Sequence, residues 1–310
     1  MPTQLIIDCD PGVDDALAIW LALASPGELE VLGISTVAGN VPLALTQANA
    51  RKICECAGRV DIPVYAGCPR PLLRSLVTAA DVHGATGLDG VELPEPQMPL
   101  SESHAVDWTI STLSAAKHPV TIAALGPLTN LAVALTMAPQ ISACIERVVV
   151  MGGACGSGNI TPAAEFNMYV DPHAAAIVMA AGLNLTLITL DVTHTVITTP
   201  ERLHAIRAIA TPVARAAADL LEHYGQFDLQ RYGTPGGFLH DPCTIAYLLA
   251  PDLFHTVPAW VAVETAGELT LGKTVVDRWS VGDREPNVTL ITAIDADGFY
   301  QLLCDRLQHL

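Results

Sequence analysis

Four carboxylates fall within eight residues near the start of the chain, in Asp8-Cys9-Asp10-Pro11-Gly12-Val13-Asp14-Asp15. One or two acids at the start of a helix are ordinary caps, favoured by the positive end of the helix. Four are more than capping requires, and side by side they raise one another's pKa unless a cation neutralises them. An all-oxygen donor set suits Ca²⁺ or Mg²⁺ better than zinc, so the segment reads as a hard-cation site. His240-Asp241-Pro242 offers a further carboxylate. Proline at the first helical position also makes Asp241 a good N-cap, and that motif joins the cation site only in the company of the first cluster. The Leu125-Gly126-Pro127 turn leaves carbonyls free, which makes the Leu125 carbonyl a candidate ligand for the same ion.

Gly152-Gly153-Ala154-Cys155-Gly156-Ser157-Gly158-Asn159 is glycine-rich, yet its spacing is neither GxGxxG nor GxxxxGK[ST], and no lysine comes after it. It is not read as a phosphate loop. The polar series Asn159, Glu165, Asn167 and Asp171, which begins at its last residue, is suited to hydrogen-bonding sugar hydroxyls. Asn159 and Asp171 serve equally well as a turn residue and a helix cap, whereas Glu165 and Asn167 have no evident structural duty. Of the ten histidines, His83 lies in a long loop and His240 adjoins Asp241; a histidine against a metal-binding carboxylate is placed to donate a proton. His194, His204 and His223 have no such neighbour and read as structural.

These residues are placed by alternating elements. Strands are expected over 4–8, 29–37, 62–66, 120–125, 147–151 and 185–190, interleaved with helices over 16–25, 42–58, 106–117, 128–137 and 172–181. Helices dominate from 200 to 232, followed by a helix over 242–250, strands over 260–264, 273–279 and 288–294, and a terminal helix from Phe299. The pattern predicts a single α/β domain spanning 1–310. Its mainly parallel open sheet is flanked by helices, with a Rossmann-like core, a helical insertion near 200–232 and a few additional strands. The first acidic cluster then lies at the carboxyl end of the first strand, where open parallel sheets bind ligands.

Composition narrows the class. With 15 basic against 32 acidic residues the formal charge is −17, which repels phosphate backbones and anionic membranes; neither nucleic acid nor membrane is expected as a partner. Hydrophobic residues make up 51% and charged residues 15%, which excludes disorder. The eight cysteines show no CxxC pair or disulfide framework, and the N-terminal residues carry no export signal, so the expected location is cytoplasmic.

Taken in order, Asp8 to Asp15, Gly39-Asn40, His83 to Leu88, Gly126 to Asn130, Met151-Gly152-Gly153, Gly158-Asn159 through Glu165-Phe166-Asn167, and His240-Asp241-Pro242 resemble the blocks of the inosine-uridine nucleoside hydrolase family across essentially the whole chain. The resemblance implies hydrolysis of the N-glycosidic bond of ribonucleosides to free base and ribose, with a tightly held Ca²⁺, in a homodimer or homotetramer. It implies Asp10, Asp15, Asp241 and the Leu125 carbonyl as calcium ligands, and Asp10 as the base that takes a proton from a calcium-bound water. The ribose would be gripped by Asp14, Asn159, Glu165 and Asn167, with Met151 against the sugar and Asn40 near the attacking water. His240 or His83 would assist the departing base. Thr274-Val275-Val276-Asp277 resembles members that prefer pyrimidine nucleosides, and Tyr232 falls where such members contact the base; Asp228 departs from the glutamine expected there. Uridine and cytidine are the expected substrates, with a purine-preferring or nonspecific hydrolase as the alternative. From other classes, a DxD-type Mg²⁺-dependent phosphatase would need a Thr-containing continuation that Pro11 to Asp15 lacks, and a non-catalytic ribose-binding protein would need neither histidine.

Overall fold

The computed structural model describes residues 1–310. The chain opens with β1 (Thr3–Cys9), α1 (Val13–Leu23), β2 (Leu29–Thr36), α2 (Leu43–Cys56) and β3 (Val64–Ala66). A long connection holding the one-turn α3 (Ala80–His83) leads to α4 (Ala105–Ala115), β4 (Val120–Ala124), α5 (Thr129–Met137) and β5 (Ile145–Met151). Next come α6 (Phe166–Val170), α7 (Pro172–Met179), β6 (Leu185–Ile188) and α8 (Leu190–Thr193). Two helices, α9 (Pro200–Arg207) and α10 (Pro212–Tyr232), fill the predicted insertion, and α11 (Pro242–Leu249) comes after them. The chain closes with β7 (Phe254–Val263), β8 (Thr274–Asp277), β9 (Val288–Ile294) and α12 (Ala296–Leu307).

The nine strands form one sheet in the order β3-β2-β1-β4-β5-β6-β9-β7-β8. Strands β1 to β6 pair in parallel, since helical crossovers join them, and β9 continues parallel to β6; β7 and β8 add an antiparallel edge. Period-2 alternation sends successive side chains to opposite faces, and both faces are dry: Leu5 and Ile7 enter one core cluster and Ile6 the other, as Val149 and Val148 do on β5. The strand order runs outward in both directions from the β1/β4 pair, so the topological switch point lies between their carboxyl ends. Asp10 comes directly after β1, and Leu125 directly after β4.

Several boundaries differ from expectation. The strand expected over 185–190 stops at Ile188, which pairs with the last residue of β5, and the chain turns into α8. The helical stretch over 200–232 is two helices, because Pro212 suits only the first turn of a new helix. Strand β7 starts at Phe254, six residues before the expected Trp260; its exposed residues 255–258 hide the strand pattern, and pairing with β9 recruits them. The terminal helix begins at Ala296, where Asp295 accepts bonds from the Asp297 and Gly298 amides.

Candidate active site

At the switch point the Asp10 carboxylate is fixed from three sides. Its Oδ2 accepts the Asn40 amide at 2.7 Å. Gly39 and Gly126 pass so close that a Cβ on either would collide with one of its oxygens, which is why both turns carry glycine. Asn40 Nδ2 donates to the Asp10 carbonyl and to Asp15 Oδ2, each at 3.2 Å, and so ties the end of β2 to the start of α1.

The residue at the N-cap of α1 is Gly12, and Asp15 folds back beneath it, accepting from the Gly12 amide at 2.9 Å and the Asp10 amide at 3.2 Å. Asp14, Asp15 and Asp241 converge, with an oxygen of each within 4.8 Å of the others. Asp241 begins α11 without a side-chain capping bond, so the capping reading of that motif does not hold and its carboxylate is free to face the other acids. None of the chain's ion pairs reaches this group. Burial pushes Asp15 up to about 7, and Asp14 adds to the shift. Burial together with repulsion from Asp15 lifts Asp10 well above the carboxylate range; burial with Asp14, Asp15 and Asp10 does the same to Asp241. A dry, all-oxygen cluster without a cationic side chain fits a hard divalent cation. Cys9, the nearest thiol in sequence, turns away and donates to the Ser35 carbonyl.

Above the acids lies a cleft of about 730 Å³ counted out to its open mouth, lined by Asp14, Asn40, His83, Leu125, Met151, Asn159, Glu165, Asn167, Tyr232, His240 and Asp241. Of the residues that the sequence offered for this site, Asp10, Asp15 and Asp171 are the ones that do not border the cleft. The polar series has structural duties that its sequence concealed. Glu165 caps α6, its oxygens accepting from the Asn167, Met168 and Gly153 amides. Asn159 Oδ1 accepts the Phe166 amide, and Asn167 Nδ2 donates to the Leu125 carbonyl at 2.7 Å and the Met151 carbonyl at 3.2 Å. Asp171, the fourth member, is not in the cleft: it caps α7 and accepts from the Leu72 amide and Thr129 hydroxyl. These bonds lock the rotamers of the residues that border the cleft.

Both histidines are buried, and burial lowers each to about 4, so both are neutral at pH 7. His83 Nδ1 accepts the Val13 amide at the start of α1, which places its proton on Nε2. His240 Nδ1 shares a 2.7 Å hydrogen bond with the Thr193 hydroxyl. The far wall is one face of α10, where Tyr224, Phe227, Asp228, Arg231 and Tyr232 recur at helical spacing. Of these, only Tyr232 and Asp228 were singled out by sequence; the helical spacing was the signal for the rest. Asp228 Oδ2 holds the Phe238 amide at 2.8 Å. His194, read as structural, also lines the cleft, stacked on Phe238 at 4.3 Å between ring centres. No local pattern marks it, because α8 brings it there.

A family model described as inosine-uridine preferring nucleoside hydrolase matches residues 5–301. The pyrimidine-specific ribonucleoside hydrolase RihA of Shigella boydii serotype 4 is 47% identical over 309 residues, covering 99% of both chains. Among solved structures, the plant nucleoside hydrolase PpNRh1 superposes with a TM-score of 0.94 at 32% identity, covering 99% of both chains. A purine-preferring ribonucleoside hydrolase from Gardnerella vaginalis superposes at 0.92 and 32%, covering 99% of this chain and 98% of its own.

Proposed function

The chain belongs to the inosine-uridine preferring nucleoside hydrolase family, and from that premise we propose that it hydrolyses the N-glycosidic bond of ribonucleosides, uridine and cytidine before inosine, to free base and ribose. The observation that carries the reading is the convergence of Asp14, Asp15 and Asp241 at a cleft that Asn159, Glu165 and Asn167 also border. Near half identity to pyrimidine-specific hydrolases, against about a third to a purine-preferring one, supports the pyrimidine preference.

Asp10, Asp15, Asp241 and the Leu125 carbonyl would hold Ca²⁺, with Asp14, which borders the cleft, turned to the sugar. Such an ion supplies Lewis acidity: it acidifies water and neutralises the buried acids around it. The chain's own groups do the rest. Asp10 accepts the proton of the attacking water, held in line by the Asn40 amide on its Oδ2. Asp14, Asn159, Glu165 and Asn167 hold the ribose hydroxyls, and Met151 packs against the ring. The carboxylates favour the positive charge that develops on the sugar as the bond to the base breaks. His83 and His240, both neutral, donate hydrogen bonds to the departing base, His83 from Nε2. Tyr232 and the α10 face enclose the base.

No helix is long and apolar enough to cross a membrane. Eight free cysteines suit a reducing compartment and support the cytoplasm as the place of work. Exposed Trp279 and Val281, just beyond β8, support assembly into a homodimer or homotetramer.

The deciding assay is release of reducing sugar from uridine, cytidine, inosine and 2′-deoxyuridine. We expect kcat/KM for uridine to exceed that for 2′-deoxyuridine by roughly 10⁴-fold, because sites built around a hydroxyl reject the analogue that lacks it. Equal values would refute the sugar-site assignment, and inosine leading would overturn the pyrimidine preference alone.

A further inference from the structure

The segment Gly272-Lys273-Thr274 borders the glycine-rich loop in space, and together they look like a phosphate loop split between two parts of the chain. The hydrogen bonds exclude that. Lys273 Nζ donates to the carbonyls of Ala154, Cys155 and Gly156, so its three protons are matched by three main-chain acceptors and none is left for a phosphate. The Thr274 hydroxyl donates to the Ala154 carbonyl at 2.7 Å and accepts the Ala154 amide at 2.8 Å. On the opposite side, the Asp191 carboxylate accepts the amides of Cys155 and Gly156 at 2.7 and 3.1 Å. Three side chains thus satisfy every main-chain polar group of residues 154–156, a stretch that belongs to no helix or strand.

The neighbours of this stretch matter for the site. Gly153, the residue before it, donates its amide to Glu165 Oε2 at 2.9 Å, and Asn159 lies three residues beyond it. Glu165 and Asn159 both border the cleft. We infer that Lys273 and Thr274 on the antiparallel edge of the sheet, with Asp191 on α8, are positioning residues that clamp the 154–156 main chain and thereby hold the sugar-gripping Glu165 and Asn159 in register. Charge-assisted bonds from an ammonium on one side and a carboxylate on the other make the clamp stiff without regular secondary structure. This gives the start of β8 a role at the site although none of its residues lines the cleft. The effect on turnover rests on the reading of the cleft as a ribonucleoside site; the clamp itself does not.

The test uses the full chain with Lys273→Met, Thr274→Val and Lys273→Arg beside the unaltered protein. Hydrogen exchange is followed at the amides of 153–156, and kcat/KM is measured for uridine. We expect Lys273→Met and Thr274→Val to melt normally but exchange faster at these amides. Uridine kcat/KM should fall roughly 10- to 100-fold, as for a displaced positioning group. Lys273→Arg, which keeps the charge, should restore most of it. Unchanged exchange, faster exchange with unchanged uridine kcat/KM, or no recovery in Lys273→Arg overturns the inference. Should Lys273→Met fail to fold, Thr274→Val decides by the same two readings. If the unaltered protein cleaves no ribonucleoside, the functional reading falls, and the exchange data still judge the clamp.

Discussion

Asp10 has almost no freedom to move, and that rigidity has a measurable consequence. Its carboxylate lies between the backbones of Gly39 and Gly126 and takes the Asn40 amide on Oδ2. Gly126→Ala must push the carboxylate aside, and we expect at least about 100-fold loss of kcat/KM with little change in melting temperature, since misplacement near 1 Å costs that much. Asp241 makes no capping bond and sits among like charges. Asp241→Asn should therefore stabilise the calcium-free protein, because it removes one of the repelling buried carboxyls, while abolishing the rise in melting temperature that calcium would give. Denaturant curves with and without chelator check both halves. The histidines bear on rate. Burial holds His83 and His240 at about 4, so with calcium saturating the pH profile of kcat/KM should show no histidine titration between about pH 6 and 8. A limb near 6.5 would mean that an imidazole keeps its ordinary value and acts as a charged acid.

Among the elements, α5 ties the strands beneath the site together through one side chain. Asn130 Nδ2 donates to Asp8 Oδ1, Ser35 Oγ and the Thr36 carbonyl, and its Oδ1 accepts the Cys68 amide, so the ends of β1 and β2 and the turn after β3 share a single knot. Asp8 Oδ2 finds no partner, and burial lifts this carboxyl to about 6. Asp8 is thus a member of the knot rather than a fourth acid of the cation cluster. Asn130→Ala leaves several buried groups unpaired and should cost about 2–4 kcal/mol. Because Asp10 and Asn40 lie just past these strand ends, activity should fall even in the folded fraction; thermal melts paired with assays well below the midpoint separate the two effects.

At the scale of the whole molecule, the acids link stability to pH and, on the proposed reading, to calcium. Without a cation the folded chain keeps protons on Asp8 and Asp15 up to about pH 6 and 7, where the unfolded chain, with the ordinary value of 3.8, has already lost them. The folded state therefore binds more protons between about pH 4 and 7, so this contribution is fully present below that window and is lost as pH rises through it. Bound calcium would favour the ionised cluster and remove the share of the deficit that comes from Asp15. The gap in melting temperature between calcium-loaded and chelated protein should be widest near pH 8 and narrow steadily toward pH 5. A gap independent of pH would show that the buried acids do not share the ion.

How much of this was legible in the sequence depends on how local each signal is. Crowded acids, glycine-proline turns and alternating apolar runs act over a few residues, so the sequence alone determined the parallel α/β order, the acid cluster and the ordered set of family blocks. It misjudged residues whose hydrogen bonds depend on how the chain folds around them. Glu165 caps a helix and holds Gly153, Asp241 declines to cap, and His194 enters the cleft through α8. Nor did it reveal that Lys273 closes on carbonyls 117–119 positions away in the chain. Tertiary structure decided these because a buried polar group must find partners wherever the packed chain supplies them, and sequence separation does not limit which ones it finds.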